Sequence, residues 1–343
     1  MTIAPFVFSG LPARVIFGAG KIACVAEEAR RLGMKRALLI ASERQAGLAA
    51  SLPGTVAKVF TGAAMHTPVE VTEAAMDIAR EHDIDGTIAI GGGSAMGLGK
   101  AIAFRTDFPQ IAVPTTYAGS EMTNILGETA AGAKTTVRDP KILPETVIYD
   151  PDLTRGLPPS LAATSGRYAI AHAVVALYAP DGNPVISLIA EDGIRALAQG
   201  LPSANREEAL YGAWLCGMVL GVTSMALHHK LCHVLGGSFN LPHAETHTVI
   251  LPYAVAYNAA AAPEVMARIN RALAAPSAAR GLQQLAASLG APASLRDLGL
   301  AEADLDRAAD LAVANAYLNP RPITREGIRQ LLDDAFHGRP VGA

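Results

Sequence analysis

The stretch Thr87–Ala103, TIAIGGGSAMGLGKAIA, decides how the N-terminal half of this chain is read. Its first residues are apolar with no polar alternation, as in a parallel strand covered on both faces. They run into Gly91, Gly92, Gly93 and Ser94, and a helix candidate follows at once, Ser94–Phe104. Glycine lets the backbone come close to a ligand. The helix N-terminus then offers unpaired N–H groups and the positive end of its dipole to a phosphate. At the carboxyl end of a buried strand, that is a cradle for a dinucleotide's pyrophosphate. The spacing is neither GxGxxG nor a P-loop, and a tight strand–helix turn would use glycine too. The strand–GGGS–helix context carries the reading.

The surrounding pattern agrees. Strand candidates are Arg14–Phe17, Arg36–Ala41, Thr55–Phe60, Gly86–Ile90 and Gln110–Val113, alternating with helix candidates Gly20–Leu32 and Val69–His82. Such alternation predicts a doubly wound α/β domain. The strand after the glycine loop ends in Pro114-Thr115-Thr116-Tyr117-Ala118-Gly119-Ser120-Glu121, whose hydroxyls suit a ribose or a carboxamide. Phe17-Gly18-Ala19-Gly20 is a second glycine turn, facing either a ligand or the sheet. After the second strand stand Ser42 and Glu43. A carboxylate there holds ribose hydroxyls, whereas a small residue leaves room for an extra phosphate, so the choice between NADH and NADPH stays open. Glu128–Asp150 reads as a β-excursion returning to a last strand, with Lys134, Arg138 and Lys141 on it.

With 343 residues the chain is long enough for two domains of roughly 150 residues each. Half of it is hydrophobic, and mean hydropathy is +0.27. No run reaches the roughly 18 apolar residues of a membrane span. The N-terminus lacks the order of a signal peptide. Three widely spaced cysteines (Cys24, Cys216, Cys232) predict no disulfide framework and a cytoplasmic setting. Net charge is -3 without a basic block, which argues against a nucleic-acid partner.

Past Leu157-Pro158-Pro159 the texture becomes alanine- and leucine-rich. Helix candidates are Tyr168–Tyr178, Asn183–Ala198, Arg206–His228, a run through His233, Ala261–Ala274, Ser277–Leu289, Glu302–Ala314 and Thr324–Phe336. Residues 1–155 are therefore expected to form a dinucleotide-binding α/β domain and 156–343 an all-α substrate domain.

Six of the nine histidines fall between Thr164 and His247: His172, His228, His229, His233, His243 and His247. Tyr168 and His172 are four apart and share a helix face, as do His229 and His233. His172, His229 and His243, from separate elements, have the makings of a divalent-metal site, which usually wants a carboxylate as well.

Gly91–Ala101 (GGGSAMGLGKA), Pro114–Glu121 (PTTYAGSE), Ser165–Val174 (SGRYAIAHAV) and His228–His247 (HHKLCHVLGGSFNLPHAETH) resemble the iron-containing alcohol dehydrogenase superfamily, and within it the maleylacetate reductase family. The resemblance covers nearly the whole chain. It implies the dehydroquinate synthase-like, iron-type alcohol dehydrogenase fold, an active site in a cleft between the domains, and a homodimer. It places Gly91, Gly92, Gly93 and Ser94 on the cofactor's phosphates, and Thr115, Thr116 and Tyr117 beside the dinucleotide. It puts His172, His229 and His243 in the superfamily's metal positions and His233 near nicotinamide and substrate.

Tyr168 departs from this pattern, because the superfamily carries Asp there and maleylacetate reductases often Asn. Arg167, Val175 and Tyr253 depart as well. A tyrosine, with a free pKa of about 10, supplies no carboxylate at neutral pH. The site is accordingly expected to work without a metal; if one binds, its ligands are His172, His229 and His243. The implied reaction is NADH- or NADPH-dependent reduction of maleylacetate, a small dicarboxylate, to 3-oxoadipate. His172, His229, His233, His243 and Tyr168 are the candidate catalytic groups, and Arg138, Arg167, Lys230 and Arg321 the candidate carboxylate partners. The alternatives are a metal-dependent alcohol or aldehyde oxidoreductase of the same superfamily, and a family member with altered substrate or a non-redox role.

Overall fold

The computed structural model describes every residue except 1–5, 7, 12, 53, 131, 315, 316 and 343, and the side chains of 51 and 134. The chain divides into two compact units, one of residues 10–157 and one of residues 158 onward with a short N-terminal piece.

In the first unit six strands form one parallel sheet: β1 (Arg14–Phe17), β2 (Ala37–Ala41), β3 (Val56–Phe60), β4 (Gly86–Gly91), β5 (Gln110–Pro114) and β8 (Thr146–Tyr149), in the order β1-β8-β5-β4-β2-β3. The four inner strands are buried along their whole length, and the two edge strands are partly exposed. This is why the inner strands read as unbroken apolar runs. Helices α1 (Val25–Arg31), α2 (Glu43–Ala46), α3 (Val69–Glu81) and α4 (Gly93–Thr106) connect them. The expected helix Gly20–Leu32 is in fact a 3₁₀ turn, Lys21–Cys24, followed by α1. Gly20 has φ 71°, left-handed backbone that favours glycine. Asp150, at the end of β8, accepts hydrogen bonds from the Gly20 and Ile22 amides, so this second glycine turn is tied to the sheet. The β-excursion is an antiparallel hairpin of β6 (Ile125–Ala130) and β7 (Ala133–Arg138).

From β2 the chain steps to β3 on one side, and β4 then lies on the other side of β2. The strand order reverses there, so a crevice opens at the carboxyl ends of β2 and β4. The GGGS loop sits at that point.

The second unit is helical: α5 (Pro159–Tyr178), α6 (Pro184–Gly200), α7 (Arg206–Val222), α8 (Leu227–Phe239), α9 (His243–Asn258), α10 (Pro263–Leu273), α11 (Ala278–Ser288), α12 (Leu305–Val313) and α13 (Arg325–His337). Ser277 caps α11 by accepting from the Arg280 amide, as its position after Pro276 suggests. Three expectations are corrected. Helix α5 starts nine residues before Tyr168, with Pro159 in its first turn, where a missing N–H costs nothing. The expected helix Arg206–His228 breaks at Thr223, and α7 and α8 meet at 92°. The segment Gly236–Phe239 (GGSF), whose paired glycines suit a turn, is instead the last turn of α8. Among the described residues no single helix is long and apolar enough to cross a membrane.

Candidate active site

The N-terminal feature is the loop between β4 and α4. Gly92 is the N-cap of α4 and brings no side-chain cap, and the first turn holds no acidic residue. The leading amides of α4 therefore keep their donors for an external anion. At Gly91 and Gly92 the loop is packed so closely that side chains would not fit. A Cβ on Gly91 would lie 2.9 Å from the Ala95 Cβ, and one on Gly92 2.9 Å from the Thr116 Cγ2. Gln45, just after β2, donates to the Thr115 hydroxyl at 3.1 Å and accepts from the Ser42 hydroxyl at 2.8 Å. Ser42, Thr115 and the glycines thus share one edge of the sheet. Tyr117 is fully buried, and Gly93 has open space around it. The loop fits a dinucleotide's pyrophosphate.

Deep behind the loop, on α4, Lys100 is 1% exposed and its ammonium donates to Thr123 Oγ1 (2.9 Å), the Ile125 carbonyl (3.1 Å) and the Ser120 carbonyl. Burial pulls its pKa down to about 7. It anchors the segment that follows PTTYAG.

The C-terminal feature is a wall of imidazoles around Tyr168. Helix α5 presents Tyr168 and His172, α8 presents His228, His229 and His233, and α9 presents His243 and His247. The Tyr168 ring meets His172, His243 and His247 edge-on, with centroids 4.2, 5.1 and 4.5 Å away. Its hydroxyl lies 3.1 Å from His243 Nε2. His172 Nδ1 lies 2.9 Å from His229 Nε2. His233 is 6.5 Å from His229 and 6.4 Å from His243, centroid to centroid. All five expected catalytic side chains are thus brought together, in two layers. His172, His228, His229 and His247 are buried, Tyr168 and His243 are partly exposed, and His233 is exposed.

The inner layer has a fixed polarity. His228 Nε2 lies 3.0 Å from the His247 carbonyl, which can only accept, so Nε2 carries the proton. Burial pulls the His228 pKa down to about 4, against the opposing pull of that bond, and it holds His229 and His247 well below the usual imidazole range. A neutral His228 then accepts at Nδ1 from His229 Nδ1, 3.4 Å away. His229 Nε2 in turn accepts from His172 Nδ1. Burial raises the Tyr168 phenol well above its usual value, so it keeps its proton and remains a donor.

The resemblance to iron-containing alcohol dehydrogenases implies iron, and this donor set does not fit it. His172 Nδ1 and His229 Nε2 are spent on each other, and His229 Nδ1 faces His228 Nδ1. The Tyr168 phenol occupies His243 Nε2, and its ring fills the space among His172, His243 and His247. Position 168 brings no anionic oxygen to complete an iron site.

Several expected residues are placed elsewhere. Arg167 is fully buried, and its guanidinium donates to the Leu282 carbonyl at 2.6 Å and the Thr248 carbonyl at 3.3 Å. It ties α5 to α9 and α11 and is not free to meet a substrate. Arg321 stacks on the Tyr257 ring at 4.2 Å, and Arg138 donates to Asn124 Oδ1 at 3.2 Å. Lys230 lies over Tyr317 at 5.9 Å. Lys141 pairs with Asp107 at 3.8 Å, and the Lys134 side chain is outside the described residues. Tyr253 is 5% exposed and donates to the Arg339 carbonyl, on the face of α9 that lines a cavity of about 230 Å³ with Gln283 and Gly338. Val175 is fully buried in α5. The depth of His228 and His247 was not anticipated, although the four-residue spacing of His243 and His247 on one helix was the signal available.

Comparison with known proteins places this geometry in a class. Residues 12–151 match the description "Iron-containing alcohol dehydrogenase", and residues 162–336 match "Fe-containing alcohol dehydrogenase family, C-terminal". The chain belongs to the iron-containing alcohol dehydrogenase family, whose fold it has, and is an oxidoreductase. Within the family it is similar to maleylacetate reductases. That of Rhizobium sp. is 55% identical over 97% of this chain and 98% of its own length, and that of Sphingobium indicum 54% over 98% of each. The crystal structure of maleylacetate reductase from Agrobacterium tumefaciens matches at a TM-score of 0.95 with 53% identity, covering 98% of this chain and all of the other.

Proposed function

We propose that this chain catalyses the reduction of maleylacetate to 3-oxoadipate with NADH or NADPH. The observation that carries the reading is the 50–55% identity, over nearly full length, to proteins named maleylacetate reductase. The uncapped glycine loop and a donor set around Tyr168 that lacks the carboxylate an iron site wants support it.

The dinucleotide supplies a hydride. Gly91–Ser94 hold its phosphates through backbone amides, and Thr115, Thr116 and Tyr117 lie beside it. The substrate's alkene is conjugated to a ketone, so addition at the carbon β to that ketone builds negative charge on the ketone oxygen. Donors aimed at this oxygen lower the barrier. The Tyr168 hydroxyl, His243 and His233 form the reachable layer and serve this role. As the enolate collapses back to the ketone, a proton taken from water adds to the carbon α to it, completing the saturated product. His172 and His229, buried behind, hold the Tyr168 ring in place. A small dicarboxylate as substrate, a homodimer and a cytoplasmic setting complete the proposal.

The test is oxidation of NADH and of NADPH with maleylacetate, and with simple alcohols and aldehydes, each with and without chelator. Turnover on maleylacetate that survives chelator is expected. Turnover confined to alcohols or aldehydes, and lost with chelator, would replace this reading with the metal-dependent one. Dinucleotide binding without turnover on either would point to a repurposed family member.

A further inference from the structure

We propose that His228, Cys232 and His247 form a closed site for a thiophilic d¹⁰ cation, zinc(II) or copper(I), separate from His172, His229 and His243, where the resemblance would put iron. His228 and Cys232 are four apart on α8 and share one face, and α9 brings His247 against it. One ligand atom from each lies within 4.8 Å of the others, and His228 Nε2 is 3.7 Å from Cys232 Sγ. Around a tetrahedral ion with nitrogen at about 2.0 Å and sulfur at about 2.3 Å, neighbouring ligands stand roughly 3.3–3.5 Å apart. One edge is thus almost at its final length, and the widest closes by about 1 Å or somewhat more.

A second observation points to a ligand. His247 is fully buried, and neither of its ring nitrogens makes a hydrogen bond. Its neighbours are the rings of Tyr168, His228, His229 and His243. Buried polar atoms are normally satisfied, and a cation on one nitrogen would satisfy this one. A thiolate with two imidazoles prefers zinc or copper(I) to harder ions. All three side chains are at most 1% exposed, so the ion sits away from bulk water and staples α8 to α9.

Binding releases one proton, from the Cys232 thiol. His228 shifts its own proton from Nε2 to Nδ1 and binds through Nε2, giving up the His247 carbonyl. The Nδ1–H then faces His229, which reverses the direction of the His228–His229–His172 hydrogen-bond chain.

The test uses the full-length protein. Metal content is measured as purified, followed by titration with cobalt(II) as the zinc surrogate and with copper(I) against a chromogenic chelator. The expected result is one equivalent bound, with a thiolate-to-cobalt charge-transfer band. Cys232→Ser and His247→Gln should each weaken binding at least tenfold, whereas His243→Ala should keep the band. No stoichiometric binding of either ion by the wild-type protein overturns the proposal, whatever the variants do. Cobalt bound without a thiolate band, and lost in His243→Ala, overturns it too and places the ion at the Tyr168 wall. Neither outcome depends on maleylacetate turnover.

Discussion

Lowering the pH from 7.5 to 5 should destabilise the helical unit through its buried imidazoles, and the size of the effect follows from His228. In the unfolded chain a histidine takes up a proton near pH 6.5. In the folded protein burial delays this to about pH 4. Between these values the unfolded state binds more protons, so acid favours unfolding. The stabilisation is complete above about 6.5 and falls as the pH drops through 6.5 towards 4. Linkage gives a loss of about 2 kcal/mol at pH 5, reaching about 3 kcal/mol below pH 4, for this one residue. His229 and His247 are lowered for the same reason and add in the same direction. Glu121, raised by burial, works the other way, so the comparison needs a variant. In His228→Gln an amide can keep the bond to the His247 carbonyl without titrating. Thermal unfolding at pH 7.5 and 5 should show a fall in Tm larger in the wild type than in His228→Gln, by about 4–8 °C for 2 kcal/mol in a unit of this size. An equal fall in both proteins would refute the burial argument.

Three substitutions test other parts of the account. Tyr168→Phe removes the hydroxyl 3.1 Å from His243 Nε2; kcat for maleylacetate should fall about 100-fold with KM little changed and stability within about 1 kcal/mol, whereas unchanged kcat would remove Tyr168 from proton donation. Gly92→Ala puts a methyl 2.9 Å from Thr116 Cγ2, so dinucleotide affinity measured by fluorescence titration should drop at least tenfold while the helical unit's Tm holds; unaltered affinity would move the phosphates elsewhere. Lys100→Met strands the Ser120 and Ile125 carbonyls, and denaturant unfolding should show a loss of about 2–4 kcal/mol, with no loss refuting the anchoring role.

Much of the fold was legible because the inner strands are buried on both faces, and such strands show as unbroken apolar runs in sequence. Helix α9 was not, although it carries His243 and His247. It is buried nearly all round and holds Pro252 in its interior, so it shows neither an amphipathic stripe nor an uninterrupted pattern. The two prolines at 158 and 159 mark a change of texture in the sequence, yet one of them opens α5. At the site, four-residue spacing revealed which histidines share a helix face. It could not reveal which lie inside, because that depends on how α5, α8 and α9 pack. Arg167 shows the same limit: the sequence offers a cation beside Tyr168, and only packing turns it inward to two backbone carbonyls.

The most direct test of the central claim is to run the reaction with nicotinamide cofactor deuterated at its transferable position and to locate the label in the product. Hydride addition to the alkene gives 3-oxoadipate with deuterium on the methylene next to the carboxylate remote from the ketone, a position that does not exchange with water. Deuterium on a carbinol carbon, with the alkene intact, would mean that the hydride goes to the carbonyl as in an alcohol dehydrogenase, and would contradict it.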